Sequence, residues 1–136
     1  ISNFARAGRE SRHNLKYWHC DEYLGFGPAA SSCFGGVRFT AARDMAGYAA
    51  GRLSEKTVLT PSDREVEYVM LALRLREGVR YDDYAVRFGM SAAKKYSARL
   101  TRYVSAGLVN ESAEGFALTR RGMLVSNSIL ADILDL

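Results

Sequence analysis

Hydrophobic and polar positions obey two different rules along this chain. From about Lys56 onward they recur with a helical period, and before it they do not. Thr60-Pro61 with Asp63 predicts a helix start: a hydroxyl to cap, a proline at the first helical position and an acid in the first turn. Val66, Val69, Met70 and Leu73 then fall at i, i+3, i+4 and i+7, one apolar stripe that runs to a stop at Gly78. Asp82 to Phe88 predicts a short second helix ended by Gly89. Ser91 caps a third helix, with Tyr96, Leu100, Tyr103 and Val104 on its buried face and Gly107 as its stop. Leu108-Val109 and Phe116-Ala117-Leu118 flank a polar turn at Glu111 to Gly115 and predict a hairpin. Thr119 caps a last helix carrying Leu124, Val125, Ile129, Ile133 and Leu134. Helix, short helix, helix, hairpin, helix is the order of a winged helix, with the hairpin as wing and the third helix in the recognition position.

Residues 1–55 are glycine-rich and irregular. Ile1-Ser2-Asn3-Phe4 is strand-like, and Leu24-Gly25-Phe26-Gly27 and Cys33-Phe34 read as short strands around glycine turns. Gly35-Gly36 between Ser32-Cys33-Phe34 and Val37-Arg38-Phe39 is a hairpin signal, because paired glycines tolerate the positive φ of tight turns. Ala41 to Arg52 predicts a short helix with Met45, Tyr48 and Ala49 on one side. These pieces carry no complete core of their own. The expected fold class is therefore an α+β fragment: the end of an α/β partial barrel with a connector over 1–55, then a mainly helical, winged-helix-like domain over 56–136. The seam lies near Ser54-Glu55-Lys56-Thr57.

Composition changes this picture little. The chain of 136 residues is 48% apolar and 25% charged, which suits one ordinary domain or a small domain and a piece of another. It begins at Ile1 without an initiator methionine, so it reads as a fragment whose start lies upstream; an incomplete barrel would leave strand edges open to self-association. No apolar run reaches membrane-spanning length and no signal-peptide pattern opens the chain. Cys20 and Cys33 match no zinc or iron–sulfur spacing and read as two free thiols of a cytoplasmic protein.

Charge is mildly basic, +4 overall, with eight basic and five acidic residues before Pro61 and eleven and ten from it onward. This permits an anionic partner, nucleic acid or a ligand with carboxylates, without requiring one. The third predicted helix carries Lys94, Lys95, Arg99 and Arg102. Lys95, Arg99 and Arg102 share a face that on a DNA-binding winged helix would meet phosphates with a salt slope of roughly −3 to −4. The same face is equally the solvated side of an amphipathic helix, and it lacks the Asn or Gln that reads bases. Nucleic acid is the disfavoured reading.

The segment Arg12-His13-Asn14-Leu15-Lys16-Tyr17-Trp18 concentrates chemistry. It holds one of two histidines and the only tryptophan, in what reads as an aromatic loop. An imidazole, a carboxamide and two flat rings can ligate iron, hydrogen-bond a polar group and cover a planar ligand; from residue types alone a hydrogen-bonded structural histidine is the favoured reading. His13 and His19 lie six apart and do not share a helix face. In the loop from Gly25 through Gly27 and Pro28 to Ser32, the small residues would let backbone approach a cofactor, or simply turn between strands; the spacing is not the dinucleotide fingerprint. No Ser-His-Asp order, GxSxG or HExxH is present, so the residues read as a binding or interaction unit.

With these residues in view the chain resembles the C-terminal portion of HemW-type proteins, radical S-adenosylmethionine proteins related to oxygen-independent coproporphyrinogen oxidase and regarded as haem chaperones. The resemblance rests on Ile1 to Ala5, Gly8, Arg12 to Trp18 and Glu22 to Pro28. It continues in the Leu-x-Leu-Arg-Leu-Arg-Glu-Gly run from Leu71 to Gly78, Arg87-Phe88-Gly89, Gly107-Leu108-Val109 and Leu118-Thr119-x-x-Gly122. His-Asn-x-x-Tyr-Trp is its specific part. It implies a parent with an N-terminal barrel holding a [4Fe–4S] cluster and S-adenosylmethionine, whose Cys-x-x-x-Cys-x-x-Cys loop has no counterpart here; this chain would be inert alone and would help cover or shape a tetrapyrrole site against that barrel. The family motif implies haem handling by His13, Asn14, Tyr17 and Trp18: His13 as axial iron ligand, Asn14 as orienting partner, Tyr17 and Trp18 as ring-packing groups, with Gly25 and Gly27 in a cofactor-proximal loop. Where many members read Gly-Ala-His-Ser, this chain has Ala29-Ala30-Ser31-Ser32.

Overall fold

The computed structural model describes residues 4–136, so the strand expected at Ile1 to Phe4 lies almost wholly outside the described residues; Phe4 itself is exposed coil. The chain is a small α+β structure with two three-stranded antiparallel sheets. Helix α1 (Arg12–Trp18) comes first, capped by the Ser11 hydroxyl on the Asn14 amide. The aromatic segment expected as a loop is thus two turns of helix. Hydroxyl capping supplies a start that the aromatic composition hides.

The first sheet has the order β1 (Ser31–Phe34), β2 (Val37–Ala41), β3 (Leu53–Val58). Gly35-Gly36 closes the β1–β2 hairpin with φ of +59° and +74°, the double left-handed geometry of a two-residue turn. Helix α2 (Met45–Ala49) bridges β2 and β3, and Met45 is exposed on it instead of packed. Leu24 to Gly27 is not a strand; only Tyr23 pairs, in a single bridge to Cys33. Strand β3 is exposed throughout and runs through the expected seam at Ser54 to Thr57. Its alternation Leu-Ser-Glu-Lys-Thr-Val is polar enough to read as a linker, but its register with β2 places Thr57 opposite Arg38 and Val58 opposite Val37.

Helix α3 (Pro61–Ala72) starts as expected with a full capping box: Thr60 Oγ1 accepts from the Asp63 amide, and Asp63 accepts from the Thr60 amide. It ends at Ala72, before Gly78. After it come β4 (Val79–Arg80), α4 (Tyr81–Phe88), α5 (Ala92–Ser105), β5 (Val109–Glu111), β6 (Gly115–Leu118), α6 (Arg120–Leu124) and α7 (Ser126–Leu134). The β5–β6 hairpin forms where the pattern placed it, and β4 adds a third strand on the far side of β6. The last helix is broken at Val125, and Leu124 is 84% exposed, so it lies off the apolar stripe assigned to it.

The main core belongs to the second half. Val69, Leu73, Val79, Tyr84, Tyr96, Leu100, Phe116, Ile129 and Ile133 form one buried cluster, with Cys20 and Phe88 packed at its edge. Rings run through it in contact: Phe88–Tyr84 at 4.9 Å between centroids, Tyr84–Tyr96 at 6.1 Å, Tyr96–Phe116 at 6.0 Å. Such pairs add about 0.5–1.5 kcal/mol each beyond the area they bury.

Candidate functional site

A cavity of about 350 Å3 opens where the two halves meet. Helix α1 and the turn after it supply Tyr17, Trp18 and Cys20. The first sheet adds Cys33 and Arg38, a cross-strand pair of the β1–β2 hairpin. Helix α3 contributes Arg64, Glu67, Tyr68 and Leu71, which fall at i, i+3, i+4 and i+7 and so form one face. Helix α4 closes the floor with Arg87 and Phe88. Helix α3 thus serves two sides: Glu65, Val69 and Ala72 enter the core, and the Arg64–Leu71 face lines the cavity.

The walls are aromatic. Tyr17 meets Tyr23 edge-on at 4.7 Å, and Tyr68 meets Phe88 at 5.5 Å. The polar groups between them are mostly committed to one another. Arg38 Nη2 donates to both oxygens of Glu67 at 2.5 and 2.7 Å. Arg87 Nε donates to Asp83 on its own helix and its guanidinium stacks 5.1 Å from the Tyr68 centroid. The Tyr68 hydroxyl donates to Asp83 at 2.7 Å. Burial, with that bond to a carboxylate, drives the Tyr68 phenol well above its ordinary value, so it stays a neutral donor. Burial, helped by the Glu67 charge, likewise pushes the Cys20 thiol up to about 11. At neutral pH the cavity offers the protonated thiol of Cys20 and the neutral phenol of Tyr68, an arrangement suited to packing and orienting a ligand.

Of the tetrapyrrole-site residues expected from the sequence (His13, Asn14, Tyr17, Trp18, Gly25 and Gly27), the structure brings only Tyr17 and Trp18 to this cavity. His13 and Asn14 lie on the same helix but are exposed and outside the lining. The His13 Nε2 is 3.1 Å from the Tyr17 hydroxyl and its ring stands edge-on to Tyr17 at 5.1 Å. His19 pairs with Glu77 at 2.6 Å and ties the end of α1 to the turn after α3. Gly25 and Gly27 are also absent from the lining. A Cβ at Gly25 would overlap the Ser31 carbonyl oxygen, and the Gly27 amide donates to the Tyr48 hydroxyl at 3.1 Å, so both serve the packing of the first sheet. Ser31 is exposed and its hydroxyl meets Thr40. The residues that sequence reasoning missed are those of the second α3 face and Arg38. The spacing of Arg64, Glu67, Tyr68 and Leu71 is the signal that marks them.

The chemistry of the donor set does not suit an iron–sulfur cluster. Cys20 and Cys33 are the only thiols, and among the described residues no three His, Cys, Asp or Glu side chains converge. No helix among them is long and apolar enough to cross a membrane.

The chain is similar to known proteins. Residues 59–125 match the HemN C-terminal domain. The chain is 32% identical, over 98% of its length, to "Heme chaperone HemW" of Bacillus subtilis and 28% identical, again over 98%, to the protein of that name from Lactococcus lactis. It covers 37% and 36% of these two proteins, about a third of the length of the curated relatives it matches. Among solved structures it superposes on coproporphyrinogen III oxidase (HemN) from Escherichia coli, described as a radical SAM enzyme, with a TM-score of 0.61 at 20% identity; the match covers 83% of this chain and 28% of that one. That likeness shows a shared fold. The second half of the chain thus matches a HemN C-terminal domain, and nearly its whole length is similar to a part of the haem-chaperone HemW proteins.

Proposed function

We propose that this chain forms part of the tetrapyrrole-handling surface of a HemW-type protein. The observation that carries the reading is the placement of Tyr17 and Trp18. The two rings of the His-Asn-x-x-Tyr-Trp helix stand at the wall of the aromatic cavity between α1, the first sheet and α3. The printed function of the relatives, haem chaperone, supports the ligand class. A cavity of about 350 Å3 is at the small end of ligand pockets. It suits one edge of a macrocycle, with the iron outside it on the α1 side, where His13 is exposed. In this reading His13 is the axial ligand and Asn14 the orienting partner, and Gly25 and Gly27 hold the neighbouring loop in place.

The [4Fe–4S] cluster and S-adenosylmethionine belong in this proposal to the parent protein's barrel, not to these residues, and the chain alone generates no radical. The winged-helix-like domain, expected from residue 56, begins in this proposal after β3 and has β5–β6 as its wing, and the first sheet closes the barrel. The order α3, α4, α5, β5–β6, α6 supports that division.

Haem titration of the chain, read in the Soret band, tests the proposal. Wild type is expected to give a saturable shifted band, and His13→Ala a weaker and displaced one. Identical spectra for the two proteins would remove His13 as ligand; absence of any wild-type band would remove the tetrapyrrole reading.

A further inference from the structure

Three guanidinium groups line the cavity, and two of them are already matched. Arg38 is held by Glu67, and Arg87 by Asp83. One acid of the lining is engaged as well: Glu22 Oε1 accepts from the Gly35 amide at 2.8 Å. Arg64 is different. It stands on the cavity face of α3, one turn before Glu67 and Tyr68, and has no carboxylate partner among the described residues. Glu67, the carboxylate one turn away, is held by Arg38, the walls carry the rings of Tyr17, Trp18, Tyr68 and Phe88, and a cation without a carboxylate partner beside such walls attracts an anion that brings its own apolar body.

We propose that Arg64 is the anchor for a carboxylate carried by the ligand of this cavity, so that the site selects planar, apolar molecules bearing a free acid. The inference rests on the tetrapyrrole reading and deepens it. The macrocycle enters by its carboxylate edge, and the guanidinium receives the carboxylate while Tyr17, Trp18 and Phe88 pack the ring. Arg38 cannot take that role without breaking a bond pair to Glu67, and Arg87 cannot without releasing both Asp83 and Tyr68.

The test uses the chain as it stands, with two probes that share the macrocycle and differ at its two acid groups: haem as its free diacid, and haem dimethyl ester, in which both carboxylates are capped, delivered in the same mild detergent. Wild type is expected to bind the diacid roughly tenfold tighter than the ester, the scale of one charge-assisted hydrogen-bonding pair. Arg64→Gln should bring the diacid down to the ester's affinity and leave the ester unmoved, and Arg64→Lys should keep part of the preference. Because Arg64 is exposed, the thermal melt of either variant should match wild type. Equal binding of the two probes by wild type, or equal weakening of both by Arg64→Gln, would overturn the anchor and leave the tetrapyrrole reading standing. Failure of wild type to bind either probe would overturn both.

Discussion

Lys95 on α5 places its ammonium 2.6 and 2.7 Å from the two carboxylate oxygens of Glu65 on α3, and Glu65 is only 6% exposed. Two phenols complete the shell: Tyr96 donates to Glu65 Oε1 at 2.6 Å, and Tyr84 donates to the same oxygen. One buried carboxylate therefore ties α3, α4 and α5 together beneath the cavity floor. A charge can be held in such a place because both carboxylate oxygens accept hydrogen bonds, Oε1 from Lys95, Tyr84 and Tyr96 and Oε2 from Lys95.

Removing that carboxylate should cost far more than an average substitution. Glu65→Ala leaves one partly buried ammonium and two buried hydroxyls unmatched, and about 3 kcal/mol of stability should be lost. Urea unfolding measures this directly. Burial alone would raise the Glu65 pKa, but the bonds from Lys95, Tyr84 and Tyr96 outweigh it and hold it below the ordinary 4.5. A depressed carboxylate stabilises fully above its unfolded value and loses that contribution as pH falls through its folded value. Wild type should therefore lose stability below about pH 4.5 more steeply than Glu65→Gln.

The same pairing bears on nucleic acid. Of the cations that the sequence places on one face of α5, Lys95 is held by Glu65, Arg99 by Asp135 at 2.7 Å and the Ile133 carbonyl at 3.0 Å, and Arg102 by Asp132. That face is stitched to α3 and α7, so little of its charge is left for phosphates. A fluorescence anisotropy titration with a duplex should give no binding tighter than the non-specific range of roughly 10⁻⁴–10⁻⁶ M. Tight binding with a salt slope near −3 or −4, weakened by Arg99→Gln, is the contrary result.

Glycines in the second half predict two distinct outcomes. A Cβ at Gly122 would overlap the carbonyl oxygen of Leu108, a close approach that brings α6 against the start of the hairpin. Gly89 caps α4 at φ +67° but has open space around it. Gly122→Ala should cost about 2–3 kcal/mol through overpacking, and Gly89→Ala about 1 kcal/mol through backbone strain alone. Thermal melts of the two variants separate these effects.

The elements of the second half were legible because their caps and stops are local chemistry. Thr60, Ser91 and Thr119 cap through their own hydroxyls, and Gly89 and Gly107 take positive φ. What the sequence concealed depends on long-range partners. Strand β3 has no buried residue and exists by pairing with β2, so no apolar alternation announces it. Glu65 reads as a surface helix residue until Lys95, thirty positions later, is brought to it. At the candidate site, residue chemistry picked out Tyr17 and Trp18, but the cavity's other wall is a face of α3 hidden beside the apolar stripe that the periodicity reported.

The contact between Tyr17 and His13 gives the last prediction. If His13 binds iron through Nε2, the nitrogen that now meets the Tyr17 hydroxyl at 3.1 Å, that hydrogen bond competes with ligation. Tyr17→Phe keeps the ring against Tyr23 and at the cavity wall while removing the hydroxyl. Freeing Nε2 from an exposed hydrogen bond is worth about 0.5–1.5 kcal/mol, so haem should bind the variant two- to tenfold more tightly with the same Soret position. Tyr17→Ala removes the ring as well and should weaken binding instead. Opposite signs for the two substitutions at one position would separate the packing role of the ring from the competing role of its hydroxyl. Weakening by both, to a similar degree, would mean that the hydroxyl supports the ligand and that His13 does not meet it through Nε2.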